Sequence, residues 1–265
     1  MGQEGGAVVF VGGIPAGAGL FREVQKRLEP RKTVALEVVD SLFEPGGDPV
    51  DRLREALGSL EPALVVAHGV AVPLVMAALN ESTVPVVVSN GPIRRVDWLF
   101  RALSSLPQGV LARALFRPAV LNAWLSSSLG LRRAVVNPYV MEGEVVEFLT
   151  RSMVGSAAAR QAAASWIKML SGWLPSSRSE GVWAIWGDAD WLYPADDVLE
   201  LLGKDRVTLI PGGRWFHPEE RPWCWQMFVR ICCLNLRSDR NVARKTGNHD
   251  FNVVVWGFGC GLLGL

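Results

Sequence analysis

Residues 64–76, LVVAHGVAVPLVM, decide the architecture. Leu64 to Val66 is a short apolar run of the kind that fills a strand buried on both faces. It ends in a sharp turn, and a helix expected over Val70 to Leu79 leaves at once. So tight a turn needs small residues around its apex, because strand and helix must approach closely there. Ala67 and Ala71 occupy those places, with His68 before the apex and Gly69 at it.

Working outward, short β-branched runs alternate with longer helical stretches, which is the pattern of a parallel sheet with crossover helices. The expected strands are Ala7–Val11, Thr33–Val39, Ala63–Val66, Val84–Ser89, Val182–Trp186 and Arg206–Ile210. A helix starts near Gly19 with Leu20, Phe21, Val24 and Leu28 on one face, and another over Pro49–Leu60 turns Val50, Leu53 and Leu57 inward. Residues 96–175 carry no convincing strand and are broken by Pro107, Pro118, Gly130 and Pro138 into short helices. The division expected is a core of residues 1–95 and 176–236 with a helical lid of 96–175 inserted above the carboxyl ends of the strands. Open α/β sheets bind their ligands at those ends. Residues 237–265 form an atypical tail, first polar and then apolar and Gly-rich without either structural period.

The bulk composition supports one large core. The chain is 49% hydrophobic and only 20% charged, which excludes global disorder. A net charge of +1, with acids and bases interspersed, gives no sign of a nucleic-acid partner. No apolar run reaches the length of a membrane span. No basic-then-apolar leader precedes the first strand, and the spacing of Cys224, Cys232, Cys233 and Cys260 fits neither a zinc site nor a paired framework. The expectation is a cytoplasmic protein with free thiols, no cofactor and no metal. Walker, HExxH and Rossmann patterns are all missing from the sequence.

Two further motifs fall at strand ends. WAIWGDADWLYP (183–194) contains a Gly-x-x-Asp turn at Gly187 and Asp190, and IPGGRWFHPEERP (210–222) follows the last strand. In the order Gly12-Gly13, elbow, acid turn and final loop, these resemble the α/β-hydrolase superfamily. The resemblance implies a mainly parallel sheet of about six strands with helices on both faces and a helical lid. It also implies that Gly69 stands where the nucleophile would be and Asp190 where the acid that orients the catalytic histidine lies. Arg214 then takes the histidine's place, with His217 where many members carry a second, non-catalytic histidine. Backbone N–H groups of the Gly13–Ile14 loop and of Val70, beside His68, match the oxyanion-hole position.

Glycine cannot attack a carbonyl, and a guanidinium stays protonated near neutral pH. The triad is therefore degenerate and the chain reads as a pseudoenzyme. Three functions stay open. One is non-hydrolytic binding of a small apolar ligand or a protein partner under a Trp-rich lid (Trp98, Trp124, Trp166, Trp173). Another is an enzyme of the hydrolase or lyase type, acting on an ester-like or carbonyl substrate with Asp190 and His217 as acid and base. The last is a hydrolase using another serine, such as Ser89. If only chemistry has been lost, Gly69→Ser with Arg214→His should together restore weak esterase activity.

Overall fold

Six strands form one parallel sheet in the computed structural model of the chain: β1 (Val8–Val11), β2 (Thr33–Leu36), β3 (Leu64–His68), β4 (Val86–Ser89), β5 (Val182–Gly187) and β6 (Val207–Ile210). Their order is β2-β1-β3-β4-β5-β6, and every neighbouring pair is parallel. The structure describes residues 6–37 except Pro15, 48–94, 96, 98–127, 134–136, 147, 150–170 except Ser152, 179–230 except Phe216, and 232. The expected Gly130 and Pro138 breaks, Trp173, the end of β2 beyond residue 37 and the tail lie outside the described residues.

Alternation along the strands sorts the core into two layers. Val9, Val11, Val65, Ala67, Val86 and Val88 face α2 (Pro49–Leu60), α3 (Ala71–Ala78) and the later α7 (Ala195–Leu202). Val8, Phe10, Leu64, Val66 and Val87 face α1 (Arg22–Leu28) and the last described helix, α9 (222–230). This two-sided burial is why the central strands read as unbroken apolar runs. β2 and β6, at the edges, are only partly covered.

The helix α2 shows how sequence fixes an element. The Asp48 side chain accepts a hydrogen bond from the Val50 N–H at 2.8 Å, Pro49 takes the first helical position, and Leu53 and Leu57 turn inward. Between β4 and β5 the described chain contains α4 (Trp98–Ser105), a helical turn Gln108–Val110 that continues as a π-helix over Leu111–Leu115, α5 (Pro118–Ser126) and α6 (Ala157–Leu170). Pro107 and Pro118 begin two of these pieces, where the missing N–H costs nothing. Their buried residues, among them Phe100, Leu111, Leu121 and Trp166, are continuous with the α2/α3 layer. A short α8 (His217–Glu220) precedes α9.

The chain steps from β1 outward to β2, then back across β1 to β3. The carboxyl ends of β1 and β3 therefore flank the switch point where such sheets open a crevice. In urea titrations, Asp48→Ala should cost about 1 kcal/mol and Leu53→Ala about 2–5 kcal/mol, the second because it leaves a cavity. Equal, negligible costs would mean that α2 is not held as described.

Candidate functional site at the carboxyl edge of the sheet

At the switch point β3 passes through His68 into Gly69, whose φ of +59° is left-handed, and α3 follows. Glycine is the residue that takes such a φ at little cost. The turn is pinned by the Gly69 N–H donating to the Ser89 carbonyl at 2.9 Å and by the Gly69 carbonyl accepting from the Val72 N–H at 3.1 Å. Gly13 packs directly on it: a Cβ there would lie 2.7 Å from the His68 carbonyl oxygen and 2.9 Å from the Val70 nitrogen. Gly13, Ile14, His68, Gly69 and Val70 are thus brought together, and all five are buried.

The space beyond the apex is filled. A Cβ placed on Gly69 would meet the Trp215 ring, 2.8 Å from Cζ2 and 3.2 Å from Nε1. Trp215 is buried, and its ring centroid lies 4.6 Å from that of His68. Arg214 turns elsewhere: its Nη1 donates to the Val135 carbonyl in the insertion at 3.0 Å.

Behind the elbow lies a polar cluster whose main members have no solvent exposure. His68, Ser89, Asn90 and His217 are each 0% exposed, and Asp190 is 6% exposed. The Trp225 Nε1–H donates to His217 Nδ1 at 2.9 Å. An indole N–H can only donate, so Nδ1 is an acceptor and the neutral ring carries its proton on Nε2. That Nε2–H points to Asn90 Oδ1 at 2.7 Å. Asn90 Oδ1 also accepts from the Gly187 N–H at 2.9 Å, while Asn90 Nδ2 donates to Asp190 Oδ2 at 2.6 Å. Asn90, held at φ +34°, therefore stands between the two residues expected to act as acid and base. Asp190 Oδ1 closes a local turn, accepting from the N–H groups of Leu192 at 2.8 Å and Tyr193 at 3.4 Å.

Ser89 Oγ lies 3.1 Å from both His217 Nε2 and His68 Nδ1. Because His217 Nε2 holds a proton, it has no lone pair with which to take one from Ser89. The hydroxyl can donate to His68 Nδ1 instead, leaving the His68 proton on Nε2, an atom with no hydrogen-bond partner among the described residues. Both imidazoles are held neutral. Burial lowers the His68 pKa to about 3, against a weak opposing pull from the Trp215 backbone. Burial, then the positive charges that His68 would carry and Arg221 does carry, pushes His217 well below the usual histidine range. Among the described residues no three His, Cys, Asp or Glu side chains are grouped to hold a metal.

Sequence reasoning placed the elbow, Asp190 and His217 at this edge but missed Asn90, Trp215 and Trp225. Asn90-Gly91 after a strand is a turn signal. Nothing in sequence spacing says that its side chain bridges two distant loops. Trp215 sits next to Arg214 in the final loop, yet only the fold brings its ring over Gly69.

No protein-family model matches the chain, and no curated protein matches it. Solved structures do. A thermophilic esterase from Thermogutta terrifontis, with malate bound, is 14% identical with a TM-score of 0.64, covering 88% of this chain and 90% of that one. Haloalkane dehalogenase DbeA from Bradyrhizobium elkani is 13% identical with a TM-score of 0.66, covering 90% and 93%. Epoxide hydrolase CorEH, without ligand, is 16% identical with a TM-score of 0.54, covering 85% and 90%. At such identities the likeness concerns the fold alone, and the fold is that of the α/β-hydrolases.

The two buried imidazoles set a pH dependence. Their folded pKa values are lowered, so the unfolded chain binds more protons and stability falls as pH drops below about 6.5, the unfolded histidine value. The slope is about 1.4 kcal/mol per pH unit for each histidine. The urea midpoint at pH 5.5 should therefore lie clearly below that at pH 7.5. An unchanged midpoint would mean that the rings are not buried neutral.

Proposed function

We propose that this chain is a non-hydrolytic protein on the α/β-hydrolase fold. In this reading it binds a small, largely apolar molecule or a protein partner beneath the helices of the 96–175 insertion, which act as a lid. The observation that carries the reading is the Trp215 indole packed against a glycine at the elbow apex. A nucleophile is missing and its place is taken. His217 supports the reading too: its Nδ1 is engaged by Trp225, its Nε2–H by Asn90, and neither nitrogen is free to accept a proton from a substrate. Cysteine spacing that suits no paired framework supports a cytoplasmic setting. Among the described residues no helix is long and apolar enough to cross a membrane.

One observation favours a second reading, an enzyme that uses Asp190 and His217 without a covalent intermediate. The Asp190–Asn90–His217 chain of short hydrogen bonds, 2.6 and 2.7 Å, couples the two residues through one amide. That reading requires His217 to release Trp225 before it can take a proton.

A fluorophosphonate probe separates these readings from a hydrolase. The wild-type chain should form no adduct and should hydrolyse p-nitrophenyl esters at the buffer-catalysed rate. Stoichiometric labelling mapped to Ser89 would contradict the proposal. The Gly69→Ser/Arg214→His pair should also stay inactive, because the new side chain meets the indole, and weak turnover should need Trp215→Ala as well. Esterase activity in the double variant alone would mean that Trp215 leaves the apex open.

A further inference from the structure

Charge is not evenly spread along the chain. Residues 98–141 contain five arginines and not one aspartate or glutamate. With 26 acids among 265 residues, about four would fall there if they were distributed evenly. The gap coincides with the insertion helices, whose described outer side is apolar and basic together. Val110 and Val120 are 43% and 44% exposed and Trp124 is 38% exposed, while Arg113, Ala114 and Arg117 are exposed between them. On α5 the geometry is that of an amphipathic helix: Leu121 and Leu125 turn into the core, and Val120, Ala123 and Trp124 turn out. None of the ion pairs among the described residues uses Arg101, Arg113 or Arg117. The Arg117 Nε–H donates to the Arg113 carbonyl, so this side chain is held along the helical stretch that carries Arg113.

We infer that the outer face of residues 110–124 docks on an anionic lipid surface, with Val120 and Trp124 entering the interface and Arg113 and Arg117 meeting the headgroups. Each half of this face matches one half of such a surface. A tryptophan with an apolar body and one N–H suits the headgroup boundary, and valine suits the acyl region just beneath. Arginines with no ion pair among the described residues and no neighbouring carboxylate in sequence gain from an anionic leaflet without first breaking such a pair. An acidic protein would satisfy the arginines but gives no reason for exposed Val120 and Trp124. A purely apolar partner gives no reason for the missing acids. The inference does not depend on whether the elbow catalyses anything.

The test is sedimentation of the full chain with vesicles of phosphatidylcholine alone, or of phosphatidylcholine mixed with phosphatidylserine, at low and high salt. Binding should require the anionic lipid and should weaken as salt rises. Arg113→Gln with Arg117→Gln should lower the partition coefficient roughly 30-fold, about fivefold per arginine. Trp124→Gln should lower it too. Lys32→Gln with Lys204→Gln, an equal change in net charge on exposed residues outside the insertion, should leave it within about twofold. Circular dichroism of each variant checks that the fold is kept. Equal binding to both vesicle types, binding to neither, or an equal loss in the lysine pair would overturn the inference. So would lipid-free self-association abolished by Trp124→Gln, which would make a second copy the occupant.

Discussion

A left-handed glycine lies beneath an indole at the carboxyl end of β3, and the rest of the site is arranged around that contact. Gly69 must take a positive φ for the strand to turn into α3 at once. Gly13 and Gly91 must lack side chains so that neighbouring backbone can approach the turn. With the turn closed in this way, the volume past the apex is bounded by His68 and Trp215, which fill it by ring contact. In a hydrolase a side chain at the apex would need that volume. Here the core uses it, and burial of the indole is a packing gain of the usual aromatic size, about 1.5–3 kcal/mol or more.

The polar cluster behind the contact follows from the same geometry. Four loops meet where β3, β4, β5 and β6 end, and their polar groups have little water to turn to. An unpaired buried group costs about 1–3 kcal/mol, so a cluster of this depth is stable only when nearly every member finds a partner. Asn90 achieves this by donating to Asp190 while accepting from Gly187 and His217. Trp225 completes His217 from α9. The residues that resemble an acid and a base are thereby joined into the scaffold, binding the final loop and helix to the sheet. Among the described residues of the cluster His68 Nε2 is the exception, and burial keeps that ring neutral.

The fold was legible because its signal is repeated. Each strand is an apolar run and each crossover helix has its own apolar face, so errors of one or two residues at the ends, as at β3 and β4, leave the topology intact. The turn at Gly69 was legible because small residues at Ala67 and Ala71 have few other uses beside a strand end. The chemistry was less so. Spacing places Asp190 and His217 at one edge of the sheet but says nothing of Asn90 between them, since that contact joins residues a hundred or more positions apart. Trp215 is hidden for the same reason: its meaning lies in a distance to Gly69, not in its neighbours. The even mix of charges holds for the chain as a whole and fails for residues 98–141, where the average conceals a segment without acids.

The central claim is that Trp215 occupies the space a nucleophile would need, and a double-mutant cycle of Gly69→Ala and Trp215→Ala measures it. Gly69→Ala in the wild-type background combines a positive-φ penalty with overpacking against the ring, about 2–5 kcal/mol together. In the Trp215→Ala background only the backbone part remains, so the cost of Gly69→Ala should fall by at least about 1 kcal/mol in urea unfolding. A cost that is the same in both backgrounds would mean that the indole does not sit on the apex, and the account of a filled elbow would be wrong.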